Sequence, residues 1–348
     1  MRPSGIPDLI DRISNEIEAS PGRAIPFAQF MRLALYDAQD GYYAGGAAQR
    51  VGRAGDFYTS VSVGECFGKL LARHFIASQP GLDQIVEQGA NDGRLAADLI
   101  AHLPAGVDYI IIEPHPNVRR RQADLLGGQV RWVDSIDEID GGIRGRFICN
   151  ELLDAFPVQR VRRVADEWHE LFINHEFEEC PVPITDAELR EEVARTLAHR
   201  ALPDAYTTEI HLEANAWLSS LMGSLRAGAQ ATIIDYGHEA DDYYSLARSD
   251  GTLRGFREHQ QVAGILEHIG QTDLTASLNF SRLAEIAGAA TAVDQHHFLI
   301  AAARPWLAEI ESTGAAPAPE TQRLLRQFNT LIHPGLMGRT FKVLEIAR

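Results

Sequence analysis

Two glycines bracket a short turn after an apolar run, in the stretch "IVEQGANDGRLAADLI" at residues 85–100. Gly89 and Gly93 permit positive φ and let a ligand approach the backbone closely. Because ligands of open α/β sheets bind beyond the carboxyl ends of the strands, the turn predicts a binding site. A dinucleotide turn would need further glycines where this chain has Asn91 and Arg94, and the sequence contains no P-loop. The turn therefore disfavours nicotinamide dinucleotides and nucleoside triphosphates as ligands.

An acidic residue follows the next apolar run, at Glu113 in "DYIIIEP". It lies about 20 residues past the glycine turn, where a carboxylate can accept hydrogen bonds from ribose hydroxyls. The alternative is an ordinary solvated acid at the end of a strand. Together, the turn and Glu113 indicate a site for a nucleoside-containing cofactor.

Alternating short apolar runs and amphipathic stretches must position these residues. The runs "DQIVEQ", "DYIIIEP", "VRWVDSI" and "GRFICNELLDAFP" alternate with helical patterns, and this rhythm predicts a parallel sheet flanked by helices. Leu95, Leu99 and Leu103 would form the apolar stripe of the helix after the turn. We therefore predict an α/β fold.

Later segments complete this organisation. "VQRVRRVADEWHELFI" predicts a hairpin with Arg160 and Arg162 on a solvated face, and helical insertions are expected at about 185–226 and 240–290. The sheet resumes at "ATIIDYGHE". Two apolar runs near the end, "TAVDQHHFLIAAA" and "RTFKVLEIAR", predict an antiparallel pair of strands at the edge of the sheet. The excursion between them is a candidate dimer contact.

Composition excludes several classes of protein. The 348 residues include 48 acidic and 32 basic side chains, for a net charge of −16, so nucleic acid is not expected as a partner. Three scattered cysteines suggest neither a disulfide framework nor a zinc site. No apolar run reaches membrane-spanning length and the amino terminus lacks a signal core. We expect a cytoplasmic protein without a metal or a membrane partner.

Glu87, two residues before Gly89, extends the turn to the form E-x-G-x-x-x-G, which resembles motif I of class I S-adenosylmethionine (SAM) methyltransferases. Eight further segments occur in a fixed order: "MRLALYDAQDGYYAGG", "AGDFYTSVSVGECFG", "NELLDAFPVQRV", "IIDYGHE", "GTLRGFREHQ", "TDLTASLNF", "QHHFLIAAA" and "LMGRTFKVLEI". Together they resemble the MidA-like family of SAM methyltransferases, which includes the mitochondrial assembly factor for respiratory complex I.

The resemblance implies SAM as the cofactor and a class I methyltransferase fold, with a Rossmann-like sheet of seven strands, an N-terminal helical cap and an inserted helical subdomain. Residues 1–80 would form the cap and a loop that covers the cofactor, and residues 81–348 the methyltransferase core. Carried over by position, the residues expected over the cofactor are Gly55, Asp56 and Thr59 of "AGDFYTS". Those expected beneath it are Glu87, Gly89, Gly93 and Glu113.

The resemblance also places Asn150, Glu151 and Asp154 of "NELLDAFP" along the methyl-transfer cleft. The family turn usually resembles G-x-G-x-G, whereas the central residue here is Asn91, which suggests that side-chain hydrogen bonds replace a closer approach of the backbone.

The acceptor decides which residues the chemistry needs. An arginine guanidinium, with its pKa above 12, needs carboxylates to orient it and take up its charge, and Glu151 and Asp154 are the candidates. A carboxylate acceptor needs only cationic or donor groups, and "GTLRGFREHQ" offers Arg254 and His259. At the end of the strand in "ATIIDYGHE", Asp235 could bear function, while His238 is more typical of a structural histidine.

Three hypotheses follow. The leading one is methyl transfer to an arginine of a partner protein, and the acidic surface would steer a basic segment towards the cleft. The second is esterification of a small carboxylic acid, and the third is a SAM-binding assembly factor without turnover. A dinucleotide oxidoreductase remains only as an alternative at the level of the fold.

Overall fold

The structure is a computed structural model that describes residues 3–44, 59–258, 260–314, 316–335 and 337–348. The described chain divides into two compact units, each built from three separate segments. The first unit contains the described residues of Met1–Phe57, Leu153–Trp217 and His238–Asn279. The second contains those of Tyr58–Leu152, Leu218–Gly237 and Phe280–Arg348.

Helices and strands alternate along much of the chain. The α-helices of the described residues are α1 (Pro7–Ala19), α2 (Phe27–Tyr36), α3 (Ser60–Val63), α4 (Cys66–Ser78), α5 (Arg94–Ile100), α6 (Pro116–Leu126), α7 (Ala187–Leu197), α8 (Leu212–Ser224), α9 (Ala240–Tyr243), α10 (Phe280–Ala287), α11 (Gln295–Ser312) and α12 (Pro319–Ile332). The β-strands are β1 (Ala24–Pro26), β2 (Gln84–Gln88), β3 (Asp108–Ile112), β4 (Arg131–Val133), β5 (Arg146–Asn150), β6 (Gln159–Val164), β7 (Glu167–Asn174), β8 (Glu179–Pro183), β9 (Thr207–Ile210), β10 (Gln230–His238), β11 (Arg254–Arg257), β12 (Gln260–Gln261), β13 (Asp273–Thr275), β14 (Leu278–Asn279), β15 (Val293–Asp294) and β16 (Phe341–Ala347).

The second unit contains the predicted sheet. Seven of the eight strands that the described residues contribute to this sheet are hydrogen-bonded in the order β15-β16-β10-β5-β2-β3-β4. Strands β4, β3, β2, β5 and β10 pair in parallel, whereas β16 pairs antiparallel with β10 and with β15. The residues of β2, β3 and β5 are almost continuously buried, as expected for parallel strands that are covered on both faces. This arrangement confirms the predicted α/β class.

Helices α4 and α5 lie against one another in the core of the second unit. On α5, Leu95 and Leu99 are buried as predicted, while Leu103 lies in the turn beyond the helix and is half-buried. Gly68 on α4 permits the close approach, because a β-carbon there would lie 2.4 Å from the β-carbon of Asp98. The apolar stripe of the sequence is therefore the packing face of α5.

The first unit is built around a second sheet, with strand order β1-β7-β6-β9 and with β8 also paired to β7. The predicted hairpin is present as β6 and β7, which pair antiparallel. Its two turn residues, Ala165 and Asp166, both have positive φ, at 49° and 68°. This is the backbone of the two-residue turn that matches the twist of paired strands. A smaller sheet, in the order β12-β11-β13, belongs to the same unit.

The structure differs from the expected domain boundaries. The first 80 residues are not one cap, because β1 joins the sheet of the first unit while α4 packs in the core of the second. The insertions expected to be helical contain α7 to α10, as well as β9 and β11 to β14. Alternation of apolar and polar residues in such short strands is too brief to distinguish them from loops.

Two further expectations were only partly right or wrong. The predicted antiparallel pair at the edge of the sheet is present as β15 and β16. "TAVDQHHFLIAAA" contributes only the two residues of β15 and then begins α11, whose buried residues Phe298, Leu299, Ala302 and Trp306 repeat at helical spacing. The run of apolar letters hid this period. Arg160 is not part of a solvated face, because it is only 7% exposed and is paired with Glu179.

Among the described residues, no helix is long and apolar enough to span a bilayer.

Candidate functional site

The register of the parallel sheet brings three predicted residues to one edge. Gln88 of β2 lies opposite Ile112 of β3 and opposite Cys149 of β5. The next residues therefore lie side by side at the carboxyl ends of the three strands, with Gly89 between Glu113 and Asn150. This is the edge at which open α/β sheets bind ligands.

The glycine turn is left-handed at three positions. Gly89, Asn91 and Gly93 have φ values of 80°, 45° and 85°. Asparagine tolerates this region better than most residues, so Asn91 is compatible with the left-handed backbone of the turn. Its carbonyl oxygen accepts a hydrogen bond of 3.0 Å from the Nε2 atom of Gln122. This hydrogen bond helps to hold the turn in place.

Glu113 is held at the end of β3 by backbone contacts. Its Oε1 atom accepts a hydrogen bond of 2.9 Å from the N–H of His115, and the side chain is 9% exposed. Burial raises the pKa of this carboxyl, and the hydrogen bond opposes the shift. The carboxylate has the position and the acceptor chemistry to bind ribose hydroxyls.

Asn150 is the last residue of β5, and Glu151 follows it. The Nδ2 atom of Asn150 donates to Oε1 of Glu151 at 2.9 Å. The Oδ1 atom of Asn150 is buried and has no hydrogen-bond partner among the described residues. A buried acceptor without a donor is costly in free energy, so Asn150 fits a ligand that carries a hydroxyl or an amine. A nucleoside cofactor supplies both groups.

Glu87 lies within β2, and its side chain is buried. Its side chain is 2% exposed, and its Oε2 atom accepts a hydrogen bond of 2.5 Å from the hydroxyl of Tyr109. Burial raises the pKa of Glu87 to about 7, although the hydrogen bond from Tyr109 lowers it. Binding of the cofactor by Glu87 stays a prediction.

The raised pKa of Glu87 makes the stability of the protein depend on pH. Between the unfolded value near 4.5 and the folded value of about 7, the folded protein retains a proton that the unfolded chain releases. The resulting stabilisation is complete at low pH and is lost as the pH rises through 7. Because of Glu87, the free energy of unfolding of the wild-type protein should fall by roughly 2 to 3 kcal/mol from pH 5 to pH 8. Glu87→Gln should remove this fall.

Urea unfolding of the cofactor-free protein at pH 5, 6, 7 and 8 measures this effect. Asp124→Asn, which changes an exposed carboxyl on α6, is the matched control and should retain the wild-type dependence on pH. Equal slopes in wild type and Glu87→Gln would contradict the assignment.

The remaining predicted site residues are distributed over the chain. Thr59 is the N-cap residue of α3, and its side-chain oxygen accepts a hydrogen bond of 3.2 Å from the N–H of Ser62. In the first unit, Asp154 is buried and its carbonyl oxygen accepts from the N–H of Ala276. Arg254 is exposed and donates to the carbonyl oxygen of Leu253 at 2.7 Å. Three predicted residues, Gly55, Asp56 and His259, lie outside the described residues.

Two buried carboxylates have contacts that the sequence did not reveal. Asp235 of β10 is 0% exposed and accepts a hydrogen bond of 3.1 Å from the N–H of Leu152. In the first unit, Glu209 is also 0% exposed, and its Oε2 atom accepts from the N–H and the hydroxyl of Thr252 at 2.7 and 3.0 Å. The sequence identified Asp235 as a residue that could bear function, and its place inside the apolar strand "TIIDYG" is typical of a buried acid, but its contact with Leu152 was not predictable. The pairing of Glu209 with a distant loop has no comparable signal.

Known proteins resemble this chain along nearly its whole length. A family model described as an S-adenosyl-L-methionine-dependent methyltransferase matches residues 69–299. A crystal structure from Burkholderia thailandensis, with S-adenosyl-homocysteine bound, is 30% identical with a TM-score of 0.83 and covers 100% of this chain and 95% of that chain. Protein arginine methyltransferase NDUFAF7, mitochondrial, from Danio rerio is 26% identical and covers 92% of this chain and 83% of the relative. The Homo sapiens protein of the same name is 23% identical over 91% of this chain and 78% of the relative.

The family match and the edge geometry agree. Gly89 leaves the backbone of the turn accessible, Glu113 has a carboxylate acceptor, and Asn150 has a buried acceptor without a donor. This chemistry is compatible with SAM, which has hydroxyl and amino donors and no phosphate groups to be bound. The chain belongs to the MidA-like family and is a SAM-dependent methyltransferase.

Proposed function

We propose that the enzyme transfers a methyl group to a guanidinium nitrogen of an arginine in a partner protein. The observation that carries this proposal is the similarity over 92% of the chain to a relative named as a protein arginine methyltransferase. The net charge of −16 supports it, because an acidic surface attracts a basic segment of a partner.

SAM supplies a methyl group bonded to a positively charged sulfur. The task of the protein is to align the acceptor nitrogen with that methyl group and to stabilise the charge of the acceptor. A guanidinium presents five N–H donors in a plane, and a carboxylate can accept two of them side by side.

Glu151 is the carboxylate best placed for this role in the second unit. It follows Asn150 at the carboxyl edge of the sheet, is half-buried, and has a positive φ of 54°. Its partial burial would strengthen a charge-assisted hydrogen bond to an arginine. Asp154, three residues later, is the second candidate carboxylate.

The first experiment identifies the acceptor. Purified enzyme is incubated with methyl-labelled SAM and a lysate of its own host, and the label is separated by molecular size. Label on a protein band that mass spectrometry maps to arginine supports the proposal. Label only in small, base-labile esters would overturn it in favour of a carboxylic acid substrate and shift attention from Glu151 to Arg254.

Glu151→Gln tests the role of the carboxylate on that substrate. We expect kcat/KM to fall by about 10- to 100-fold, because a neutral amide replaces a charged hydrogen-bond acceptor. The Kd for S-adenosylhomocysteine, measured by calorimetry, should change by less than about threefold, which separates acceptor chemistry from cofactor binding. Asp124→Asn serves as the control with an exposed carboxyl. Full arginine methylation by Glu151→Gln would remove this residue from the mechanism.

Three expectations from the sequence stay predictions. They are a cytoplasmic location, the absence of a nucleic-acid partner and a homodimer formed through the segment before "TFKVLEIAR". The curated relatives carry the word mitochondrial in their names, so fractionation of the host cell is the direct measurement of location.

A further inference from the structure

A buried carboxylate near the end of β10 reaches the chain that leaves β5. Asp235 is 0% exposed, and each of its oxygens accepts a backbone N–H: Oδ2 from Leu152 at 3.1 Å and Oδ1 from Tyr236 at 2.8 Å. Its neighbours in the strand, Ile233 and Ile234, are also fully buried. A charge in such surroundings is tolerated only when it is well hydrogen-bonded.

These contacts end the ladder between β5 and β10 in an unusual way. Asn150 lies opposite Ile234, and the N–H of Glu151 still donates to the carbonyl oxygen of Ile234 at 2.9 Å. Glu151 then adopts a φ of 54°, in the left-handed region that L-residues with a side chain rarely adopt. The following N–H, of Leu152, bonds to the side chain of Asp235 rather than to a strand carbonyl.

The left-handed residue determines the positions of two neighbouring side chains. Its own Oε1 atom binds Nδ2 of Asn150, which leaves Oδ1 of Asn150 as the buried acceptor described above. The side chain of Leu152 lies against the glycine turn, where a β-carbon on Gly89 would be 3.2 Å from its Cδ1 atom. By accepting the hydrogen bond from Leu152, the carboxylate of Asp235 holds the backbone that links Leu152 to Glu151 and Asn150.

We propose that Asp235 is a positioning residue for methyl transfer. Its carboxylate holds Leu152 and thereby keeps Glu151 in the left-handed conformation that orients Glu151 towards the acceptor and Asn150 towards the cofactor. Asp235 contacts neither the acceptor nor the cofactor itself. The inference rests on the proposed function only for the identity of the acceptor.

Asp235→Asn is the discriminating substitution, because it preserves shape but replaces one oxygen with an NH2 group that cannot accept a hydrogen bond. One of the two backbone N–H groups must then lose its partner, and we expect it to be that of Leu152, because its hydrogen bond of 3.1 Å is longer than the bond of 2.8 Å from Tyr236. We expect kcat to fall by about 10- to 100-fold, in the range for one lost charge-assisted hydrogen bond. The KM for SAM should stay within about threefold of wild type. The amide of Leu152 should exchange its hydrogen at least about tenfold faster, measured by NMR or by mass spectrometry of the peptide that contains it.

A double-mutant cycle separates positioning from general destabilisation. If Asp235 acts through Glu151, Asp235→Asn combined with Glu151→Gln should be no more than about twofold slower than Glu151→Gln alone. Independent structural damage would instead multiply the two losses. Asp241→Asn, whose side chain is 99% exposed and pairs with Arg200, is the control and should retain wild-type kcat and wild-type exchange at Leu152.

The readouts distinguish this inference from the proposed function. Hydrogen exchange at Leu152 needs no substrate, and kcat can be measured with whichever acceptor the labelling experiment identifies. Asp235→Ser, which is too short to reach Leu152, carries the same measurements if the asparagine variant does not fold. Unchanged exchange at Leu152, a wild-type kcat or multiplied losses in the cycle would each overturn the role of Asp235.

Discussion

Gly89→Val should weaken the binding of S-adenosylhomocysteine by roughly 100-fold, the largest effect on ligand binding that we expect. The φ of 80° at Gly89 is unfavourable for any L-residue and worst for a β-branched one. The new β-carbon would also lie 3.2 Å from Cδ1 and 3.3 Å from Cβ of Leu152. The turn must therefore move, and with it the backbone that the cofactor approaches. Isothermal titration calorimetry gives the Kd directly.

Gly106 offers a matched control in the same unit. Its φ is 89°, and a β-carbon there would have no neighbour within 4 Å. Gly106→Val should therefore show a comparable loss of stability from backbone strain while it retains wild-type affinity for S-adenosylhomocysteine. If both valine variants lost affinity equally, the effect would come from reduced stability and the turn would not be the binding site.

Glu209→Ala should lower the free energy of unfolding by about 3 to 4 kcal/mol, the largest effect on stability that we expect. The buried carboxylate holds Thr252, and its Oε1 atom is 3.5 Å from Nε of the buried Arg160. Burial lowers the pKa of Arg160 and the nearby charge of Glu209 raises it again. Removal of the carboxylate leaves a buried cation with less compensation and two donors of Thr252 without their acceptor.

Urea unfolding of Glu209→Ala, Glu209→Gln and Glu191→Ala measures the effect. Glu191 is a matched surface acid, since its side chain is 75% exposed and pairs with Arg195 one helical turn away, and its loss should cost less than about 1 kcal/mol. Glu209→Gln should be intermediate, because the amide oxygen can still accept a hydrogen bond from Thr252. Equal stability of Glu209→Ala and Glu191→Ala would contradict the account.

The parallel sheet and its edge with Gly89, Glu113 and Asn150 were predictable because each depends on local patterns. Fully buried strands appear as short apolar runs, and a parallel arrangement necessarily places the residues after them at one edge. Gly89, Glu113 and Asn150 could therefore be expected near one another. The conformation of Asn91 could not, because asparagine occurs in turns of several kinds.

The contacts that depend on the tertiary fold were not predictable. Nothing near Glu209 in the sequence indicates Thr252 as its partner, and Arg160 resembles any arginine in a strand that alternates charged and apolar residues. Helix α11 was misread because a continuous apolar run hides the helical period of its buried face. Glu87 was assigned from its place in a motif, whereas its hydrogen bond depends on Tyr109 in the neighbouring strand.

The assembly of the first unit from three separate segments has a consequence for biosynthesis. Strand β1 pairs with β7, and Gly5 forms an isolated bridge with Ile269, so the earliest residues made find their partners only after most of the chain has left the ribosome. At ordinary rates of translation, the wait is on the order of ten seconds or longer. During this time the apolar faces of α1 and α2, with Leu9, Ile13, Phe27 and Phe30, have not yet met the strands that cover them. The nascent chain is therefore a natural client for chaperones, because this core is complete only when the chain has been made as far as Ala276.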